Sequence, residues 1–352
     1  MPHWPVILAA LLALSGCSTR PSLLQLEGQA LGTTWSVQTQ DSPPGITPEA
    51  LRREIDSALA QVDEAMSTWR DDSSLVHFNK HTTTEWVDVP RSLALVVAEA
   101  LRISELSGGA FDVTVNPLVE LWGFGAADRR GTPPDAAAVA ATLQKIGYRN
   151  IEVGFDPPQL RKTEAELSID LSAIAKGYAV DQLAATLEHV GSNNYLVEIG
   201  GELVGRGLNA DGVPWRIAVE RPDAGARDVQ QVIELRDRAL ATSGDYRNYF
   251  ESDGQRFSHT IDPRSGAPVT HKLASVTVLA GTAMRADALA TALLVLGPQA
   301  GMELADSNDI AAIFVTREAD GFGVQNSAAM QCYLEAGGLQ PAGRAVPGPA
   351  AM

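Results

Sequence analysis

The chain predicts an α+β fold, a single domain of antiparallel sheets flanked by helices. Three observations carry this. Strand-like and helix-like segments alternate without the regular strand–helix–strand rhythm of a parallel sheet. Several strand segments follow one another directly, as at 195–207, 215–219 and 229–235. No linker divides the 352 residues, a length suited to one large domain or two small ones.

Composition narrows the classes. Apolar residues make up 45% and charged residues 20%, an ordinary globular balance. The net charge is −16, from 43 acidic and 27 basic residues. That argues against nucleic acid as a partner, since a general nucleic-acid binder needs a basic face. It leaves room for an anionic ligand, because helix N-termini and a divalent cation can meet phosphates locally.

The elements follow in order. Val6 to Leu14 is an apolar run of nine, too short to span a bilayer, and it ends in Leu14-Ser15-Gly16-Cys17. Small residues directly before a cysteine fit a bacterial lipoprotein signal at 1–16, with Cys17 the lipidated new N-terminus. Only His3 precedes the run, with no Lys or Arg; an ordinary secretory signal beside a chance cysteine is the alternative. The only other cysteine is Cys332, so an acylated Cys17 leaves no internal disulfide. The expected location is the cell envelope, facing the periplasm and anchored in the inner or outer membrane. Residues 17–27 read as a tether and 28–335 as the folded domain. Residues 336–352, with their Pro, Gly and Ala, read as a disordered tail.

Within the domain, 32–39 alternates like a half-buried strand. Pro48 to Ser67 places Leu51, Ile55, Leu59, Val62 and Met66 on one helical face. Residues 66–79 read as a polar loop holding Trp69. Arg91 to Leu106 is a second amphipathic helix, ended by Ser107-Gly108-Gly109. The segment 110–125 is apolar but carries Asp112, Thr114 and Asn116. Asp135 to Ile146 reads as a helix and 150–170 as two short strands. A loop and a long helix follow at 170–190. Gly200-Gly201 interrupts the strand that begins at Tyr195. Segments 239–250 and 257–268 are strands leading into turns.

The most informative stretch is 275–297, SVTVLAGTAMRADALATALLVLG. Ser275 to Ala280 suits a buried strand. Thr282 is placed to cap a helix running from Met284 to Leu296, and Gly297-Pro298 predicts its end. Asp287 and Thr291 lie four apart on one face, with Met284 three residues before Asp287. Leu289, Leu293 and Leu296 fall on the opposite side. A carboxylate and a hydroxyl stacked this way offer two hard oxygens to a cation. Each also has an ordinary explanation: a first-turn Asp complements the helix dipole, and a mid-helix Thr bonds back to a carbonyl.

Read together, the blocks GTTW, MSTWRDDSSLVHFN, FDVTVNPLVELWGFG, DLSAIAKGYAVD, EIGGELVGRG, ATSGDYRNYF, HTIDPRSGAP and ADALATALLVLG closely resemble, in order, the ApbE family of FAD:protein FMN transferases. The resemblance runs from about Gly28 to about Phe314. It implies the ApbE-like fold and a Mg²⁺-dependent reaction, with Mn²⁺ a possible substitute. FAD, the substrate, is cleaved at its pyrophosphate. FMN passes to a Thr or Ser hydroxyl of a target protein, and AMP is released. Targets in the family are subunits of membrane redox complexes, the Na⁺-translocating NADH:quinone reductase and the Rnf complex. Some members instead hydrolyse FAD to FMN and AMP; a non-enzymatic FAD-binding lipoprotein is a further alternative.

Carried onto this chain, the resemblance implies flavin-nucleotide contacts at Leu31 and at Trp69, where many relatives have Tyr. It implies further contacts at Ala110, Phe111 and Asp112, at Asp170 and Lys176, and through the Ile261 backbone. Lys176 can meet a phosphate as a point charge; a solvated lysine at a helix start is the other reading. Metal ligation is implied at Asp287, Thr291 and the Ala173 carbonyl, with the backbone near Met284 a weaker fourth. His259 is the candidate general base, because an attacking alcohol needs a positioned proton acceptor near neutral pH. Asp245 and Asp262 are alternatives.

Overall fold

The computed structural model describes residues 23–40, 45–125, 131–222, 229–245, 249–252 and 254–337. The signal segment, Cys17 and residues 338–352 lie outside them.

The core is one eight-stranded antiparallel sheet whose strands lie in chain order. They are β1 (Leu23–Ala30), β2 (Thr33–Gln40), β3 (Tyr195–Ile199), β4 (Glu202–Arg206), β5 (Arg238–Gly244), β6 (Leu273–Ala280), β7 (Ala311–Glu318) and β8 (Gly321–Asn326). Four longer helices accompany it: α1 (Pro48–Met66), α2 (Arg91–Leu106), α3 (Ala175–His189) and α4 (Ala283–Ser307). The connections between neighbouring strands carry most of the rest, including much of the site, and a last helix follows β8.

Strand alternation divides the core in two. Val204, Ala239, Ala241, Val276, Val278, Ala312 and Phe314 face the helices, in one cluster with Leu51, Ile55, Leu183, Leu289 and Leu293. Leu203, Leu240, Leu279, Ile313 and Val315 face the other way. There Trp215, Ile233 and Leu235, from the hairpin Trp215–Glu220/Val229–Leu235, pack on them with Met330 and Leu334 of the last helix, Ala328–Gly337. A strand covered on both faces needs a continuous apolar run, and β6 is buried from Leu273 to Leu279.

Several expectations are corrected. The tether expected to extend to residue 27 ends sooner, because Leu23 onward pairs along its whole length with β2. Residues 66–79 are not all loop: Ser74–Lys80 is a helix, its start capped by the Val76 N–H donating to Ser73 Oγ at 3.1 Å. The 135–146 helix is shorter, Ala136–Leu143, capped by Asp135. The expected tail begins inside the last helix, which reaches Gly337. Gly297-Pro298 bends α4 rather than ending it. Gly297 takes φ 83° and the helix resumes to Ser307, since proline is well tolerated in the first turn of a resumed helix. Gly200-Gly201 breaks the strand as expected, and does so as a hairpin turn, with φ of 62° and 108° and β3 paired to β4 on either side.

Leu289 and Leu293 of α4 lie in the core, as their spacing predicts, and the face that carries Asp287 is buried as well. Ala286, Asp287, Ala288, Leu289 and Ala290 are all buried. The sheet and α3 both pack against this helix, and α3 also packs on the sheet. At the α3–α4 crossing a Cβ on Gly177 would stand 2.3 Å from the Ala283 carbonyl oxygen, so only glycine lets the two backbones approach this closely.

Candidate active site

A cavity of about 630 Å³ opens between the sheet, the start of α3, the first turns of α4 and the connection between β5 and β6. That volume falls within the range of small-molecule sites.

One wall is acidic and deep. Asp287, 3% exposed, accepts the Gly177 N–H on Oδ2 at 3.1 Å. Gly177 lies in the first turn of α3, where an N–H has no acceptor within the helix. Ala173, just before the helix, lines the cavity, and no backbone N–H among the described residues is seen to donate to its carbonyl. Lys176 Nζ lies 2.8 Å from Glu202 Oε1 and 4.0 Å from Asp287 Oδ1. Burial pushes the Asp287 carboxyl up, against the pull of Lys176 and the Gly177 N–H. Burial and then the Asp287 charge push Glu202 up. Burial alone would lower Lys176, but Asp287 and Glu202 outweigh it and hold it as an ammonium. A bound cation would oppose the upward push on the two acids and favour their ionised form. One turn along α4, Thr291 Oγ1 shares a 2.9 Å hydrogen bond with Ser243 Oγ of β5.

The donor set fits a hard cation. Asp287, Thr291 and the Ala173 carbonyl are oxygen donors, as Mg²⁺ prefers. No group of three or more His, Cys, Asp or Glu side chains gathers among the described residues, so hydroxyl and carbonyl oxygens would have to share the ligation with Asp287.

Another part of the wall is aromatic. His259 lies between the hairpin Tyr249–Ser252/Gln255–Ser258 and the short pair Ile261–Asp262/Ala267–Pro268. Its ring stands edge-on to Phe124, centroids 6.4 Å apart. Phe124 in turn packs on Phe250, and Phe250 stacks on Phe257 at 5.1 Å. Trp122 Nε1–H donates to the Gly266 carbonyl at 2.8 Å, which ties this cluster to the turn after Asp262. His259 and Ile261 line the cavity. The two alternative bases are engaged elsewhere: the Arg317 guanidinium forks onto Asp245, and Arg264 onto Asp262 at 2.8–2.9 Å. Neither is on the cavity wall.

The mouth carries the remaining candidates. Trp69 lines the cavity with its side chain 82% exposed, an open ring face for a flat ligand. Ala110 and Phe111 are buried beside it. Asp112 is largely committed to the fold: Oδ1 accepts from the Thr114 N–H and hydroxyl at 2.8 and 2.6 Å, Oδ2 from the Tyr148 N–H at 3.0 Å. Asp170 accepts the Ser172 N–H at 2.7 Å and so shapes the loop that presents the Ala173 carbonyl.

Of the predicted residues, Trp69, Ala110, Phe111, Asp112, Asp170, Ala173, Lys176, His259, Ile261, Asp287 and Thr291 meet in this one cavity. Leu31 and Met284 are not on its wall. Leu31 sits in the β1–β2 turn at φ 52° and packs on the core. Met284 also packs on the core, and its N–H donates to Asp181 Oδ2 at 2.9 Å. Three residues were missed. Glu202 and Ser243 line the cavity, and Asp181 anchors the first turn of α4 through the Ala283 and Met284 N–H groups. An acid in the otherwise apolar strand segment after Gly200-Gly201 was the visible signal for Glu202.

The chain is similar to known proteins along most of its length. The ApbE family model matches residues 31–314. An FAD:protein FMN transferase of Vibrio cholerae is 44% identical over 334 residues, 95% of this chain and 99% of that protein. The solved structure of the flavin transferase ApbE from Vibrio cholerae superposes with a TM-score of 0.82 at 43% identity, covering 89% of this chain and 100% of that one. That of the Pseudomonas stutzeri flavinyl transferase ApbE gives 0.82 at 41% identity, covering 89% and 97%. With a family model matched over most of the chain and relatives above 40% identity, the conclusion is direct: this chain belongs to the ApbE family.

Proposed function

We propose that the chain is an FAD:protein FMN transferase, and that it uses Mg²⁺. The carrying observation is one cavity lined both by the oxygen set of Asp287, Thr291 and Ala173 and by His259. In the proposed reaction a Thr or Ser hydroxyl of an acceptor protein attacks the FMN phosphorus. The new oxygen–phosphorus bond forms as the bond to AMP breaks, and the hydroxyl proton passes to His259. Mg²⁺, held by Asp287, Thr291 and the Ala173 carbonyl with Mn²⁺ as a substitute, would supply charge stabilisation at the pyrophosphate. Lys176 meets a phosphate as a fixed positive charge, and the exposed ring of Trp69 is a platform for the flavin.

The acceptors proposed are the flavinylated subunits of membrane redox complexes, of the Na⁺-translocating NADH:quinone reductase or Rnf type, as the family resemblance implies. The proposed location is the periplasmic side of the cell envelope, with a lipid on Cys17 as the anchor. Replacing Cys17 by Ala should release the protein from the membrane fraction while FAD binding persists; unchanged fractionation would remove the anchor.

The activity is tested by incubating the purified chain with FAD, Mg²⁺ and a candidate acceptor. The expected result is flavin fluorescence on the acceptor band together with stoichiometric AMP. Free FMN and AMP with every candidate acceptor left unlabelled would identify an FAD pyrophosphatase instead. FAD bound without AMP release would identify a storage protein.

A further inference from the structure

Glu202 has no part in the chemistry above, yet it is among the most constrained acids in the molecule. It opens β4 directly after Gly200 and Gly201, both with positive φ. A Cβ on Gly200 would lie 2.9 Å from the Thr33 methyl carbon, and the Gly201 N–H donates to Glu198 Oε1 at 2.8 Å. The turn therefore fixes where Glu202 starts, and its side chain is buried at 3% exposure on the cavity wall. Oε1 takes the Lys176 ammonium at 2.8 Å. Oε2 is buried with no hydrogen-bond partner among the described residues.

The spacing on the other side of the lysine is the informative part. Lys176 Nζ stops 4.0 Å short of Asp287 Oδ1, beyond hydrogen-bond length. An ammonium on a flexible four-carbon stem beside a buried carboxylate closes to contact unless something holds it back. Glu202 is the group that does so. With the lysine held there and the Gly177 N–H on Oδ2, Asp287 Oδ1 remains open.

We infer that Glu202 is a positioning residue that keeps Lys176 off Asp287 and so leaves that carboxylate open to the divalent cation. This rests on the reading of Asp287 as a metal ligand. Without Glu202, Lys176 becomes a built-in competitor for the metal position.

The test is direct Mn²⁺ binding to the full chain without FAD, read by electron paramagnetic resonance of free Mn²⁺, with crystal structures of the variants. Glu202→Gln should weaken binding by roughly 10–100-fold, the range seen when partners of metal ligands are lost, and should bring Lys176 into contact with Asp287. Lys176→Met should bind Mn²⁺ at least as tightly as the parent. The double variant should recover most of the affinity that Glu202→Gln loses. Unchanged binding in Glu202→Gln, a lysine that has not moved, or a double variant as weak as Glu202→Gln would each overturn the inference. If Glu202→Gln does not fold, Lys176→Met decides alone: weaker binding than the parent overturns it. Asp287→Asn separates the two levels. If that change leaves Mn²⁺ uptake intact, or the parent takes up none, the metal reading itself fails. If it abolishes uptake while Glu202→Gln does not weaken it, only the role of Glu202 fails.

Discussion

The acidic wall of the cavity and the aromatic wall that carries His259 differ in how they are supported. Asp287, Thr291 and Lys176 stand on α3 and α4, and Glu202 begins a strand of the large sheet. These elements are locked by a backbone contact that tolerates only glycine at position 177. His259 stands between paired segments of four and two residues, braced by Trp122, Phe124, Phe250 and Phe257. The first wall concentrates charge in a dry setting, where fixed charges act most strongly. The second is mainly apolar and suits a group that must gain and lose a proton. Charge handling is thus built into the core of the fold, and proton handling is placed on an insertion between β5 and β6. Changes on the first wall should disturb metal and phosphate binding together. Changes on the second should leave binding intact and stop transfer.

The largest effect is expected at Asp287. Asp287→Asn keeps an oxygen for the Gly177 N–H but removes the only charged ligand proposed for the metal. FMN transfer at limiting Mg²⁺ should fall by on the order of 10³-fold, about 4 kcal/mol of transition-state stabilisation. Burial already disfavours the ionised acid, and Glu202 repels it, so thermal melting should stay level or rise. Parent-like transfer at limiting Mg²⁺ would remove this helix from the metal site. A large fall in melting temperature would make Asp287 a structural acid.

His259→Ala sharpens the contrast from the other side. Transfer should fall by roughly 10²–10⁴-fold, the usual contribution of a general base. FAD and Mn²⁺ affinities should stay near the parent values. Loss of FAD affinity of comparable size would mean that His259 holds the ligand rather than its proton. A near-parent rate would return attention to Asp245 and Asp262, although both carboxylates are engaged by arginines.

How far the sequence showed these two walls follows from what each depends on. The strand before Gly281 and the first part of α4, to Leu296, were legible because a buried strand, a capping Thr282 and an Asp–Thr pair at helical spacing are local signals. The continuation past Gly297 to Ser307 was not, because Gly-Pro reads as a stop. The Arg285 N–H does donate to Thr282 Oγ1 at 3.3 Å. The two faces, leucines to the core and Asp287 with Thr291 to the cavity, came out as expected. The depth of Asp287 did not follow from the pattern, because periodicity describes one helix, whereas the packing of α3 against α4 is a tertiary event. Glu202 was hidden for a related reason. Gly-Gly within an apolar run reads as a bulge as readily as a turn, and only the pairing of β3 with β4 shows that the acid returns toward the site. Ser74–Lys80 was lost among polar residues because its side-chain cap, Ser73, looks like any loop serine. His259 could be singled out only as part of its block, since the aromatic brace comes from segments more than a hundred residues apart.

Asp181 offers a way to break the link between α3 and α4 gently. Burial pushes its carboxyl up to about 6, against the Met284 and Ala283 N–H groups, which pull it down. A free aspartate sits near 3.8. Between about pH 4 and 6 the folded chain therefore holds a proton that the unfolded chain releases, and this group's contribution to stability falls as pH rises through that window. The whole effect is at most roughly 3 kcal/mol. Asp181→Asn, which cannot titrate, should lack it. The melting temperature of the parent relative to the variant should thus be highest near pH 4 and decline toward pH 6 and above. A difference that is flat with pH would show that Asp181 is ionised throughout, as a simple helix cap would be.

The smallest effect is expected at the hydroxyl pair on the acidic wall. Thr291 Oγ1 and Ser243 Oγ lie 2.9 Å apart, but only Thr291 is proposed to reach the metal. Thr291→Val keeps the shape and removes one neutral oxygen, so the Mg²⁺ dependence of AMP release should shift to higher concentration by about tenfold, the lower end expected for a lost metal partner. High Mg²⁺ or Mn²⁺ should restore the rate. Ser243→Ala removes the neighbour that orients the threonine and should shift the dependence in the same direction by less. Both proteins should melt within about 1 kcal/mol of the parent, the scale of one ordinary hydrogen bond. The ranking is the sharp part. A serine change as costly as the threonine change would mean that the pair acts through its mutual hydrogen bond, and Thr291 would leave the ligand set. A rate that no concentration of either metal restores would place the threonine's role in the chemical step.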